Sequence, residues 1–176
     1  MIITITGFML CGKSSYGKDA AGRAGIKFVD LDKEIVKCSG LSSVKEIFEK
    51  KGENSFREME TAMLKQILNS EEDFVLALGG GVVEKEENRQ LIMDKSFCIW
   101  ILSSLDNSVY SPRFVSYLAE RPLLQKMSKQ EVEELYEHRL PLYRDIANQT
   151  IFTDGLIDED IIDDLASVIS SVCHHS

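Results

Sequence analysis

An α/β fold, with a parallel sheet covered by helices on both faces, is predicted by three features of this 176-residue sequence. Short apolar runs alternate with longer stretches of helical periodicity, the pattern of strand–helix units in doubly covered sheets. The first run breaks directly into "GFMLCGKSS", a glycine-bounded loop ahead of a helical stretch. Residues with chemical potential, among them Asp30, Asp32 and Gly79–Gly81, fall just after apolar runs. Open α/β sheets place their ligands at that end of the strands.

Taken in order, Ile2–Thr6 reads as a buried strand and 13–24 as a helix. Ile26–Asp30 is the second strand. Ser43 and Glu46 match a capping box, in which a serine caps the helix start and a glutamate reaches back, so a helix is predicted over 43–69. Within it Phe56, Met59, Met63 and Ile67 recur at helical spacing and face the core, with Arg57 at the edge of that stripe. Phe74–Leu78 and Phe97–Leu102 are the third and fourth strands, separated by a helix over 84–94. A helical region over 108–145 carries a second capping box at Ser128 and Glu131. It also carries Pro112, which in a helix interior costs about 3 kcal/mol. Ser111 as a cap with Pro112 in the first turn would start the helix afresh there. Thr150–Thr153 is a weaker fifth strand, and 158–172 is the last helix. Neither a repeat nor a linker interrupts the pattern, so residues 1–176 read as one domain.

Composition narrows the function classes. The net charge of −9 argues against a polyanion such as nucleic acid as partner, since such binders carry basic patches on the scale of their surface. The acids concentrate in "SEEDF", "EKEEN", "KQEVEELYE" and "DEDIIDD", most of which read as solvated helix faces. No apolar run approaches the roughly 20 residues needed to span a bilayer. A basic leader with a cleavage site is also lacking, so a cytoplasmic protein without membrane partners is expected. Cys11, Cys38, Cys98 and Cys173 lack metal-ligand or disulfide spacing. Cys98 reads as core, Cys11 as a candidate accessible thiol, and the final "CHHS" as a frayed end.

Gly7 to Ser14 match G-x-x-x-x-G-K-[ST], the P-loop spacing. The chemistry requires this pattern between a strand and a helix. Backbone N–H groups of the loop (7–15, with Leu10, Cys11, Gly12 and Ser15 at the phosphates) wrap the anion, and the helix dipole adds favourable potential. Lys13 reaches the β- and γ-phosphates and the Ser14 hydroxyl ligates Mg²⁺. "FVDLDKEI" places Asp30 and Asp32 at the end of a strand, on the phosphate side. Asp32 can cap the helix that follows, or meet an acceptor hydroxyl while Asp30 holds Mg²⁺ through water. Three consecutive glycines exceed what a tight turn requires and suit close approach of a ligand to the backbone. Arg57, Arg121 and Arg139 are each unremarkable alone; as a set they suit a carboxylate or a transferring phosphate, which the guanidinium fork binds bidentately.

The ordered pieces "GFMLCGKSSYGK", "FVDLDKEI", "EIFEKKGENSFREME", "LGGGVV", "RPLL" and "RLPLYRDIA" make the chain resemble the shikimate kinases from end to end. The resemblance implies a three-layer αβα P-loop NTPase fold with a five-stranded parallel sheet, a helical substrate-binding region at about 32–62 and a lid at about 109–126. It implies transfer of the γ-phosphoryl group of ATP to the 3-hydroxyl of shikimate, with Mg²⁺; a monomer is expected. By position, Asp32 holds ring hydroxyls and accepts the proton; Arg57 and Arg139 bind the carboxylate; Gly79, Gly80 and Gly81 line the acceptor. Arg121 closes over the phosphates and Arg113 lies on the adenine side. Ser15 and Lys18 depart from the usual threonine and arginine without touching the chemistry. A different polyol or sugar acid as acceptor, and a nucleotide-binding module without transfer, are the competing readings. An acceptor without a carboxylate has little use for both Arg57 and Arg139, and a module without transfer has none for an intact Lys13, Ser14, Asp30 and Asp32. No guanine-reading N-K-x-D motif is present.

Overall fold

The computed structural model describes residues 1–112, 124 and 126–174. In chain order its elements are β1 (Ile2–Thr6), α1 (Lys13–Arg23), β2 (Lys27–Asp30), α2 (Leu31–Ser39), α3 (Val44–Leu68) and β3 (Phe74–Ala77). After a short 3₁₀ turn at Val82–Glu84 come α4 (Glu86–Lys95), β4 (Phe97–Leu102), α5 (Lys129–Ile146), β5 (Gln149–Phe152) and α6 (Asp158–His174). The strands form one five-stranded sheet in the order β2-β3-β1-β4-β5, and all four pairings are parallel. The expected fold class is therefore observed.

Alternation along the strands divides the core into two layers. Ile3, Ile5, Val75, Ile99, Ile101 and Ile151 face α1 and α6, meeting Ala20, Ala21, Ile161 and Leu165. Ile2, Phe74, Leu76, Cys98 and Trp100 face the other way, against α2 to α5. Burial pushes the Cys98 thiol up to about 12, so it behaves as core. Since β1 is central, with β3 on one side and β4 on the other, the chain reverses its direction of winding there. The crevice at such a switch point is where this class of sheet binds ligands.

Several expectations need correction. Asp30, not Asp32, caps α2: its side chain accepts from the Lys33 N–H at 3.2 Å. The stretch expected as a single helix over 43–69 breaks at Gly52, whose φ of 81° and ψ of 166° only glycine adopts without strain. Ser43 does accept from the Glu46 N–H, but the Glu46 carboxylate accepts from Ser42 rather than closing the box. The box at Ser128 and Glu131 is complete. The region expected as helix over 108–145 is turn around 105–110, with regular helix from Lys129. A helix restarting at Pro112 falls outside the described residues. Among the described residues, no helix is long and apolar enough to cross a membrane.

Candidate active site

The loop after β1 is a left-handed cradle. Gly12 has φ 91°, and a Cβ there would enter the Tyr16 ring, so only glycine fits. Leu10 sits at φ 62°, a conformation that costs a non-glycine residue roughly 1–3 kcal/mol. Strain of this kind persists only where the surroundings impose it; here Leu10 is buried in the core beneath the loop. Tyr16 in turn donates to Asp158 at 2.8 Å, fastening α1 to the start of α6. Part of the acidic "DEDIIDD" segment is thus structural, and Glu159 and Asp163 likewise pair with Arg23.

Leu10, Gly12, Lys13, Ser14, Ser15, Asp30, Asp32, Gly79 and Gly80 line one cavity of about 230 Å³. The sequence-predicted donor residues and the proposed base therefore meet in one place. Lys13 is nearly buried, and its ammonium donates to the carbonyls of Gly7 and Phe8 at 2.9 and 2.7 Å. Cys11 is the exception to the expected list: it is 4% exposed, beneath the loop and 3.8 Å from Lys13 Nζ, so it is not an accessible thiol. Arg113 and Arg121, with most of the 109–126 segment expected as a lid, lie outside the described residues.

A second cavity of about 390 Å³ brings Arg57 and Arg139 together, with Glu53, Glu84 and Lys85 on its walls. Arg57 donates through Nη1 to both oxygens of Glu60, at 3.0 and 2.9 Å. Burial and the nearby charge of Asp32 favour the protonated form of Glu60, while Arg57 opposes it; the net effect is a carboxyl held above its ordinary range. Arg139 is buried, its guanidinium 5.9 Å from the Phe8 ring centroid. Its Nε donates to Glu84 at 2.6 Å, while its buried Nη1 has no hydrogen-bond partner. A buried donor of a charged group left without a partner costs about 1–3 kcal/mol or more, a cost that an anion bound there would relieve.

The glycine triplet joins the two cavities. None of its three residues has a positive φ; a side chain on any of them would crowd the groups packed there. A Cβ at Gly79 would lie 2.9 Å from both Asp32 Oδ1 and Glu60 Oε1, and one at Gly81 would lie 2.6 Å from Arg57 Cζ. The close approach read from the sequence is made in the first instance by the site's own side chains. Buried Tyr143 donates to the Gly80 carbonyl and holds the turn. Gly81→Ala is expected to displace the Arg57 guanidinium and raise the acceptor KM about tenfold. The fold should persist, because the Gly81 backbone (φ −99°, ψ 0°) suits alanine. Steady-state kinetics with a melting curve check both halves.

Sequence reasoning gave no site role to Glu60, Glu84, Lys85 or Tyr143. Glu60 has a local signal, since it stands three residues after Arg57 on one helix face. Glu84 has none: it lies in "EKEEN", which reads as solvated, yet Glu84 pairs inward and Asn88 is fully buried.

A family model described as Shikimate kinase matches residues 9–170. A shikimate kinase of Marinomonas sp. (strain MWYL1) is 38% identical over 155 residues, covering 87% of this chain and 83% of its own. One of Thermodesulfovibrio yellowstonii is 38% identical over 160 residues, covering 90% of this chain and 89% of its own. The structure of shikimate kinase from Acinetobacter baumannii in complex with shikimate superposes with a TM-score of 0.86 at 31% identity, covering 97% of this chain and 93% of that one.

Proposed function

The chain belongs to the shikimate kinase family, and on that premise we propose which of its residues carry out the family's reaction. The reaction transfers the γ-phosphoryl group of ATP to the 3-hydroxyl of shikimate, giving shikimate 3-phosphate and ADP. The observation that carries the acceptor assignment is the buried, unpartnered Nη1 of Arg139 in the same cavity as Arg57. Two guanidinium groups in one cleft suit a carboxylate, which a neutral polyol lacks.

On the donor side, loop N–H groups hold the β-phosphate, and Lys13 leaves the carbonyls of Gly7 and Phe8 for the β- and γ-phosphates. The Ser14 hydroxyl and the Asp30 carboxylate line the same cavity and are hard oxygen donors of the kind Mg²⁺ takes alongside phosphate oxygens. When bound, Mg²⁺ supplies charge neutralisation at the phosphates. On the acceptor side, Arg57 and Arg139 fix the carboxylate and the Gly80 backbone borders the ring. Asp32 orients the 3-hydroxyl and takes its proton as the new O–P bond forms. The transition state of phosphoryl transfer is loose, so orientation and charge placement supply most of the rate. We further propose a cytoplasmic monomer of one domain, whose 32–62 region binds acceptor and whose 109–126 segment, with Arg121, serves as lid; the last two assignments rest on the resemblance.

An ADP-release assay with purified protein, ATP and Mg²⁺ tests this across acceptors. Turnover should require shikimate and exceed that with gluconate; equal turnover of the two would overturn it. Arg139→Ala should raise the shikimate KM about 10- to 100-fold with a smaller change in kcat, since it removes a contact made before the transition state. An unchanged KM would remove the carboxylate assignment.

A further inference from the structure

The 3₁₀ turn at Val82–Glu84, together with Lys85, holds the helices of Arg57 and Arg139 at once. Glu84 accepts from Arg139 Nε on α5 through Oε1 at 2.6 Å, and its Oε2 lies 3.1 Å from His138 Nε2. Lys85 donates to the carbonyl of Arg57 on α3 at 3.2 Å. The turn itself is pinned from α4: Asn88 Nδ2 donates to the Val82 carbonyl at 3.0 Å, and Arg89 Nη1 donates to those of Val83 and Glu84. This bracket follows directly on the glycine triplet, so one rigid segment sets the backbone beside the acceptor and the spacing of the two guanidinium groups.

We propose that Glu84 is a positioning residue for the acceptor: it takes the Nε edge of Arg139, so that the buried Nη1 edge is left for the acceptor's carboxylate. The proposal rests on the reading of Arg139 as a carboxylate ligand. The charge of Glu84 and its geometry pull in opposite directions. As a carboxylate on the wall of an anion site, Glu84 repels the incoming anion, and by charge alone its removal would tighten binding. As the fixed partner of a buried guanidinium, it removes the need to order Arg139 on binding, and its loss would weaken binding. With Arg139 almost entirely out of solvent and the turn pinned by three further hydrogen bonds, geometry decides. Arg139 without Glu84 would have to find another acceptor for Nε, and its fork would turn away from the site. Burial alone would raise the Glu84 carboxyl; the bonds from Arg139 and His138 bring it below the ordinary range, so it is an anion when it does this work.

The sign of the change in acceptor KM is the test. Glu84→Ala is expected to raise the shikimate KM about tenfold, with kcat and the ATP KM within about threefold of the parent. Glu84→Gln keeps an oxygen for Nε and drops the charge, so its KM should stay at or below the parent value. A KM lowered or unchanged in Glu84→Ala overturns the proposal, as does a Glu84→Gln KM raised as far as that of the alanine variant. If the alanine variant fails to fold, the glutamine variant decides alone: a shikimate KM at or below the parent value supports the proposal, and one raised about tenfold overturns it. Arg139→Ala is measured in parallel. If it leaves the shikimate KM unchanged, the underlying carboxylate reading fails; if it raises KM while Glu84→Ala does not, only the role of Glu84 fails.

Discussion

Lys13→Ala is expected to lower kcat/KM for ATP by about 10³-fold or more, and also to lower the melting temperature by several degrees. The first effect follows from phosphoryl transfer, in which charge spreads over the γ-phosphoryl oxygens and a preorganised cation in a water-poor site offsets it. The second follows from where the ammonium rests before ATP arrives. It donates to the carbonyls of Gly7 and Phe8, at the start of a loop already strained at Leu10. Removing a charged donor from a buried acceptor costs about 1–3 kcal/mol. One side chain thus fastens the loop and, on the proposed assignment, turns to the phosphates when the nucleotide binds. Kinetics and thermal unfolding on the same preparation check both. Retained turnover would remove Lys13 from the donor site, and an unchanged melting temperature would remove its structural role.

How much could be read from the sequence depends on whether the cause is local. The strands were legible because a parallel strand buried on both faces is a short continuous apolar run, and Ile2–Thr6 and Phe97–Leu102 match to the residue. The loop was legible because its glycines and lysine form a fixed spacing next to a strand. Gly52 illustrates the limit: one glycine in a helical pattern costs only about 1 kcal/mol, too little to decide between a break and a tolerated glycine. Gly52 adopts its φ of 81° at an exposed position with nothing within 4 Å of where a Cβ would lie, so no contact at the residue itself announces the break. The left-handed Leu10 was illegible for the opposite reason, since local preference points away from it. Glu84 is the clearest case. Its partner Arg139 is 55 residues away, and no periodicity or spacing links a turn after β3 to the middle of α5. The arginines proposed to bind a carboxylate could be named as a set; what positions them could not.

Asp32→Asn is expected to lower kcat by about 10²- to 10⁴-fold while leaving ATP binding nearly intact. The substitution preserves shape, so an amide should still fill the space where Asp32 Oδ1 stands against Gly79. What it removes is the negative charge that orients the hydroxyl and accepts its proton. Because bond formation lags in a loose transition state, most of the loss should come from orientation. A second consequence separates this reading from simple damage. Asp32 and Glu60 converge on the same face of Gly79, and the charge of Asp32 adds to burial in raising the Glu60 carboxyl. A carboxyl raised in the folded state binds more protons there than in the unfolded chain. Its contribution to stability is therefore full below the ordinary glutamate value of 4.5 and is lost as pH rises through the raised value. Removing the Asp32 charge lowers the Glu60 carboxyl toward its ordinary range and returns part of that loss. The variant should be slower yet melt higher near neutral pH, with a flatter fall in stability from about pH 5 upward. A lower melting temperature with equally lowered kcat would mean that Asp32 serves the fold rather than the reaction. The opposed changes are what a functional site produces when like charges are held together for chemistry at the expense of stability.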